Sequence, residues 1–201
     1  MKNLRDIIIE RLVLSKNKTE TKHTLFPKSK EELQYMIMAE IDKNGNNCSL
    51  NHIDTSEITD MSSLFIGSAF NGDISEWDVS NVTDMRRMFQ NSYFKGDISG
   101  WDVSNVIYMK RMFCNSDFTG DISSWDVSSV KSMEGMFASS SYNGDISGWD
   151  VSSVFNMDDM FNKSKFNGDI SGWNVSNVQH MSCLLKGCPL EKNPPKWYKI
   201  V

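Results

Sequence analysis

The chain has 201 residues, of which 39% are hydrophobic and 23% charged, a composition that suits one globular domain or one elongated repeat domain. Its formal net charge of −5 lacks the positive balance typical of nucleic-acid binders, so nucleic acid is disfavoured as a partner. No apolar run approaches the roughly 18 residues of a membrane-spanning helix. Charged residues interrupt the apolar run at the start of the chain, so we expect no secretory signal and a cytoplasmic location, with non-classical surface display or secretion as the alternative.

Residues 1–28 are expected to form an N-terminal helix followed by a polar linker. Apolar residues within 3–14 have the spacing of an amphipathic helix, which could pack on the rest of the chain or contact a partner. The lysine-rich residues 16–28 are typical of a linker. We leave the place of the first helix open.

Residues 29–50 are expected to form a helical cap. Ser29 and Glu32 have the spacing of a capping box, in which a hydroxyl and a carboxylate satisfy free amides at a helix start. One face of the following helix would carry apolar side chains that cover the first repeat, namely Leu33, Met36, Ile37 and Ile41.

Residues 51–201 repeat with a period of 24 residues. All six tryptophans fall on this period: Trp77, Trp101, Trp125, Trp149, Trp173 and Trp197. Methionine pairs follow the same spacing at 85/88, 109/112, 133/136 and 157/160. A fixed period of this length indicates stacked units that share one core, and a buried role is expected for the methionines.

The pattern within one unit predicts a strand and then a helix. Around Trp101, alternation of apolar and polar residues predicts a short strand. The spacing of Val106, Met109, Met112 and Phe113 predicts one face of a short α- or 3₁₀-helix. The expected fold class is therefore an α/β repeat solenoid: a leucine-rich-repeat-like right-handed superhelix with short parallel strands, short helices and a helical N-terminal cap. Prolines near the C-terminus are expected to blunt its open edge.

The repeat resembles the BspA-like leucine-rich repeats, also found as mycoplasma-type lipoprotein repeats. The stretch FNGDISEWDVSNVTDMRRMF at 70–89 and its copies carry the resemblance, which extends over residues 29–201. It implies a bacterial protein whose repeats bind other molecules, with exported relatives that act as adhesins. It implies no common catalytic residue.

Two columns of aspartate recur with the repeat. One follows the tryptophans at Asp54, Asp78, Asp102, Asp126 and Asp150, and the other lies in the Gly-Asp-Ile-Ser turns at Asp73, Asp97, Asp121, Asp145 and Asp169. We expect these carboxylates to accept hydrogen bonds within their own turns. Cation binding and a basic protein ligand are the alternatives, and we expect no metal site and no cofactor.

Positions that vary between copies are the ones left free for a partner. Four cations cluster at such positions, namely Arg86, Arg87, Lys110 and Arg111, and an acidic partner would dock there. The competing site is the aspartate column at Asp102 and Asp126, which would receive a basic partner.

The chain is predicted to be a non-enzymatic protein-binding module. The three histidines are isolated in the sequence, and no repeat brings an acid, a base and a nucleophile together, so no catalytic residue is expected. Alternatives are a bacterial surface or secreted adhesin and an acidic inhibitor that blocks a nucleic-acid-binding protein. The expected partner is another protein. The oligomeric state is left open, with a monomer favoured.

Overall fold

The structure is a computed structural model that describes residues 22–198. Helix α1 spans Lys30–Asn44, and the Ser29 hydroxyl accepts a hydrogen bond from the Glu32 amide at 3.3 Å, which confirms the predicted cap. Leu33, Met36 and Ile37 are buried, and α1 closes the N-terminal end of the repeats with them. The predicted helix at 3–14 lies outside the described residues.

The predicted α/β repeat solenoid is wrong. Residues 22–198 contain α1, one 3₁₀ helix at Pro189–Lys192 and no strand, so there is no sheet to pack helices against. The units consist of turns instead. Neighbouring units meet at isolated parallel bridges that recur at one position of the repeat: Asp60–Asp84, Asp84–Tyr108, Tyr108–Ser132, Ser132–Asn156 and Asn156–His180. The first junction has a second bridge, Ser49–Asp73.

The segment from Trp101 to Val106 is not a strand, because its backbone bonds within its own turns. The Trp101 amide donates to the Ile98 carbonyl and the Val106 amide to the Val103 carbonyl, at 3.2 and 2.9 Å. The predicted alternation is nevertheless correct, since Trp101 and Val103 are buried and Asp102 is exposed. Alternate residues are therefore buried here without the hydrogen-bond ladder of a β-sheet.

The methionine segment is not a helix, because two of its residues have left-handed backbone conformations. Arg87 has φ 59° and Asn91 has φ 57°, and equivalent residues in the other units do the same. These residues turn alternate amides towards the next unit instead of back along a helix. The Met85, Arg87 and Phe89 amides each donate at 2.9 Å to carbonyls 23 residues further on. We call these segments the Met turns.

Aromatic columns fill the core between the units. Phe89 stacks on Phe113 with ring centroids 5.6 Å apart, and Phe94 stacks on Phe118 at 6.3 Å. Both methionines of every pair from Met85 to Met160 are fully buried, which confirms that the methionine stripe is core. Gly96 follows Phe94 closely, and a Cβ there would lie 2.7 Å from the Phe94 ring. This contact explains the glycine that recurs two residues after each of these rings.

Segments outside the regular units pack on both ends. Leu25, in the predicted linker, is buried and bridges to Ile53. At the other end, the Trp197 indole N–H donates to the Ile170 carbonyl at 3.0 Å. Across residues 22–198, no helix has the length and hydrophobicity needed to cross a membrane.

Candidate binding site

The 24-residue register sorts the variable positions of the Met turns into two parallel columns. The first column contains Ser62, Arg86, Lys110, Glu134, Asp158 and Ser182, and the second contains Ser63, Arg87, Arg111, Gly135, Asp159 and Cys183. Backbone bonds hold these columns in place, since residues of the second column donate amides to carbonyls of the first in the next unit. The side chains are therefore not needed for stacking.

Three of the four predicted cations line one groove. Arg86, Arg87 and Lys110, with Ser62 and Ser63, enclose about 320 Å³. We call this the basic groove. Arg111 lines a neighbouring groove of about 220 Å³ with Gly135 and other residues of the following units. The four cations thus occupy adjacent positions, but they do not share one cavity.

Arg86 is held in place by two neighbours. Its Nε lies 2.9 and 2.8 Å from the two carboxylate oxygens of Asp84, and its guanidinium carbon lies 5.4 Å from the centre of the Tyr108 ring. The hydrogen bonds that Arg86 donates to Asp84 raise the pKa of Arg86 above its ordinary value. Because Asp84 is buried and Tyr108 lies in the next unit, the guanidinium is oriented before any ligand arrives.

Lys110 and Arg111 share one counter-ion. The Lys110 Nζ lies 2.7 Å from Glu134 Oε2, and an Arg111 guanidinium nitrogen lies 3.6 Å from Glu134 Oε1. The Glu134 carboxylate therefore faces two cations from the preceding unit, and Lys110 and Arg111 together keep an excess of positive charge.

Arg87 is the exposed cation of the basic groove for which no carboxylate lies within ion-pair distance among residues 22–198. Its backbone is fixed by the bond from its amide to the Lys110 carbonyl. Asp84 and Glu134 pair with these cations, and Asp60, which pairs with Lys30, acts on Arg86 from further away, so the four cations retain an excess of positive charge. Arg87 carries the accessible part of that charge in the groove.

The competing site at Asp102 and Asp126 lies on the tryptophan side of the units, away from the Met turns. Asp102 Oδ1 accepts the Ser104 hydroxyl at 2.6 Å and the Ser104 amide at 3.1 Å. Both bonds lower the pKa of Asp102, and the bond from the Ser104 hydroxyl contributes more than the bond from the amide. Asp126 Oδ1 accepts the Ser128 amide at 3.0 Å. The predicted turn role of this column is confirmed.

The second aspartate column makes the same local bonds. Asp97 Oδ1 accepts the Ser99 amide at 2.9 Å, and this bond lowers the pKa of Asp97 although Asp121 and Asp73 act in the opposite direction. Local hydrogen bonding therefore outweighs repulsion along the column. Within residues 22–198, no three histidine, cysteine, aspartate or glutamate side chains converge as a metal site would require.

Sequence reasoning missed the groups that hold the cations. Asp84, Tyr108 and Glu134 lie at positions whose residue type changes from unit to unit, and the repeat pattern assigns them no role. The signal was present in the register: Glu134 follows Lys110 by 24 residues in one column, and Asp84 and Tyr108 occupy successive places in another. Positions 24 residues apart are spatial neighbours, so the proximity of Glu134 to Lys110, and of Tyr108 to Asp84, could have been predicted from the register.

Comparison with known proteins identifies a family and no individual relative. No curated protein and no solved structure was found to match the chain. A family profile described as "Mycoplasma protein of unknown function, DUF285" matches residues 31–142 and again residues 115–198. The match supports a mycoplasma-type repeat and does not establish the leucine-rich-repeat part of the resemblance. The two matches run together over most of the sequence, and the chain belongs to this DUF285 family.

Proposed function

We propose that the chain is a non-enzymatic protein-binding module whose basic groove docks an acidic segment of a partner protein. The observation that carries this proposal is Arg87, an exposed guanidinium without a carboxylate partner among the described residues, beside the oriented guanidinium of Arg86. Carboxylates on a partner would supply the missing counter-charge.

The arrangement of the cations favours a binding role over a purely structural one. Arg86 neighbours Lys110 in one column, and Arg87 neighbours Arg111 in the other, so like charges face each other across a junction. Like charges in register destabilise a stack. Lys110 and Glu134 show that an opposite pair is possible at the same positions. A cationic block that opposes stacking is therefore best explained by a ligand.

The lining of the groove is suited to binding and not to catalysis. Arg86, Arg87 and Lys110 supply cations, and Ser62 and Ser63 supply hydroxyls. None of these side chains is a general base at neutral pH, and no nucleophile–base pair lies among them. The groove is open at the surface, where a carboxylate-bearing segment can enter without displacing the core.

A partner captured from the native cell tests the proposal. We expect Arg87→Glu to weaken its affinity at least about tenfold and added salt to weaken binding to the unchanged protein, because the contact is electrostatic. Lys131→Glu is the matched control, since Lys131 is exposed and lies outside the groove lining. Urea titration should give equal stability for both variants.

A pair of double variants separates the two faces. Arg87→Glu with Lys110→Glu should abolish binding, whereas Asp102→Lys with Asp126→Lys should leave it intact. The reverse result would assign the partner to the aspartate column. Full binding by both double variants would contradict any charge-based docking.

A further inference from the structure

The basic groove is built by three successive units. Its lining comes from the first unit with Ser62 and Ser63, from the second with Arg86 and Arg87, and from the third with Lys110. Where the backbones of neighbouring units bridge, they lie roughly 4.8 Å apart. A small anion above the second unit is therefore within reach of side chains from all three units. Such an anion is surrounded by donors instead of meeting them on one side.

Each cation of the groove keeps donors for a ligand. Asp84 occupies one edge of the Arg86 guanidinium, through Nε at 2.9 and 2.8 Å and through Nη2 at 2.5 Å, so the opposite edge stays open. The Lys110 Nζ lies 2.7 Å from Glu134 Oε2, and an ammonium has two further N–H groups to donate. Arg87 has no carboxylate within ion-pair distance in the described part of the chain. The donors converge from several directions, whereas a single carboxylate accepts mainly in one plane.

The formal charge at the groove matches a dianion. The four cations carry +4 and their paired carboxylates, Asp84 and Glu134, carry −2, which leaves +2. The more distant Asp60 is balanced by its own ion pair with Lys30. A phosphomonoester carries about −1.5 to −2 at pH 7 and presents three acceptor oxygens. One such group therefore supplies the counter-charge for which two carboxylates would otherwise be needed.

We propose that the anion received by the basic groove is a phosphomonoester on a side chain of the partner protein. This inference rests on the proposed function and names the group by which the acidic segment is recognised. The guanidinium fork of Arg87 binds two phosphate oxygens, and the open edge of Arg86 binds the same phosphate. Lys110 and the Ser63 hydroxyl donate to it from the neighbouring units. Phosphorylation of the partner thereby controls docking.

The surroundings of the groove favour a phosphate carried by a protein over a free phosphate ion. Arg86 and Arg87 are exposed, so a bound phosphate keeps one side towards solvent, where a peptide chain can continue. Two large apolar side chains flank the groove: Ile66, in the first unit, is 45% exposed, and Tyr108, in the third unit, is 42% exposed. The Tyr108 ring lies against the Arg86 guanidinium, at 5.4 Å. Exposed aromatic side chains are enriched in protein interfaces, and a free ion would leave this surface uncovered.

Peptide titration followed by amide NMR shifts tests the proposal. The probe is a short neutral peptide with one phosphoserine, and the matched peptides carry one serine or two glutamates at the same place. We expect the phosphopeptide to shift the amides of Ser63, Arg86 and Arg87 and to bind at least about tenfold more tightly than the diglutamate peptide. The serine peptide should not bind.

The pH dependence separates the phosphate from a carboxylate. Affinity for the phosphopeptide should increase between pH 5 and pH 7, because a phosphomonoester loses its second proton near about pH 6. The five residues that line the groove include no histidine, so this increase reports the ligand. The diglutamate peptide should show a much smaller increase over the same range, since its carboxylates are already ionised at about pH 5.

Variants locate the contact. Arg87→Gln removes the guanidinium fork without adding a negative charge, and it should weaken phosphopeptide binding at least about tenfold. Lys131→Gln also removes one positive charge, but from an exposed position outside the groove lining, and it should leave binding unchanged. Equal losses in both variants would mean that only the net charge matters, and would overturn the proposal.

The captured partner distinguishes this inference from the proposed function. Binding that is lost after phosphatase treatment and in Arg87→Glu supports the inference. Binding that survives the phosphatase but is lost in Arg87→Glu overturns the inference and leaves docking of an acidic segment intact, as would equal affinities for the phosphopeptide and the diglutamate peptide. Tighter binding of inorganic phosphate, or of vesicles that contain phosphatidic acid, than of the phosphopeptide would assign the groove to a free ion or a lipid surface and overturn the proposal.

Discussion

The tryptophan side and the Met turns of each unit are joined to their neighbours by different chemistry. On the tryptophan side, side chains make the junction: the Trp101 indole donates to the Ile74 carbonyl at 3.2 Å, and the Asn105 amide group donates to the Ser80 carbonyl at 2.8 Å. At the Met turns, backbone amides and carbonyls make the junction themselves.

This difference explains which residues recur and which vary. A tryptophan cannot be replaced without loss of an inter-unit hydrogen bond, so all six copies keep it. Arg86, Lys110 and Glu134 make no bond that the stack requires, so the column can change its charge from unit to unit. The repeat therefore keeps its stacking residues on one side and leaves the other side free for recognition.

The largest expected effect is at the tryptophan side. Trp125 is buried, and its indole donates to the Ile98 carbonyl at 3.1 Å. Trp125→Ala should lower the free energy of unfolding by about 3–5 kcal/mol, since it removes a large side chain from mid-stack. Ser124→Ala removes only an exposed hydroxyl whose bond to the Ser99 carbonyl is long, at 3.3 Å, and should change it by less than about 0.5 kcal/mol. Equal urea midpoints for the two variants would contradict the assignment of inward and outward positions.

A smaller effect is expected where glycine meets the aromatic column. A Cβ at Gly120 would lie 2.8 Å from the Phe118 ring, whereas at Gly100 no atom lies within 4 Å. Gly120→Ala should destabilise the protein by about 1–3 kcal/mol, and Gly100→Ala should have little effect. Urea titration of the two variants measures the difference. Similar losses in both would mean that the close approach to the ring does not limit this position.

Tyr142 offers a test in which a substitution increases stability. It occupies the column of Phe94, Phe118 and Phe166, it is fully buried, and its hydroxyl has no hydrogen-bond partner among residues 22–198. Burial raises the pKa of Tyr142, so the hydroxyl stays neutral. Tyr142→Phe should raise the free energy of unfolding by about 1 kcal/mol, because it removes a buried hydroxyl that has no hydrogen-bond partner among the described residues. Phe118→Tyr should do the opposite, and thermal unfolding of both variants would show whether the gain follows the hydroxyl.

The smallest effect is the pH dependence contributed by the aspartate turns. Bonds from the Ser99, Ser123 and Ser147 amides hold the pKa values of Asp97, Asp121 and Asp145 below the ordinary 3.8. A lowered pKa in the folded state stabilises the protein above pH 3.8, and this contribution is lost as the pH falls through the lowered values. The thermal unfolding midpoint should therefore decrease as the pH is lowered below about 4. Replacing all three by asparagine should flatten that decline, since Asn174 shows that an amide oxygen accepts the same bond.

The sequence allowed the repeat, the core and the cap to be predicted, because burial follows apolar spacing whatever the backbone does. Trp101, Met109 and Leu33 illustrate this. The backbone itself could not be predicted from that spacing. Arginine rarely adopts positive φ, so nothing at Arg87 itself indicated a left-handed turn in place of a helix. The available signal was the type of residue at equivalent positions, since Asn91 and Gly135 belong to the types that adopt positive φ most readily. The cations of the basic groove were identified, but their orientation by Asp84 and Glu134 required the register to be applied across units.

Most of the hydrogen bonds between Met turns run in one direction, which gives the stack an electrical polarity. At every inner junction four amides of the Met turn, such as those of Met85, Arg87, Phe89 and Asn91, donate towards the C-terminal end. Aligned peptide dipoles place partial positive charge at the end where amides remain free and partial negative charge at the other end, as in a helix. The side chains match this field, with Arg86 and Lys110 nearer the negative end and Glu134 and Asp158 nearer the positive end. The change from basic to acidic along the Met turns therefore matches the dipole of the backbone along the whole stack, while the cations that face each other at a single junction still repel.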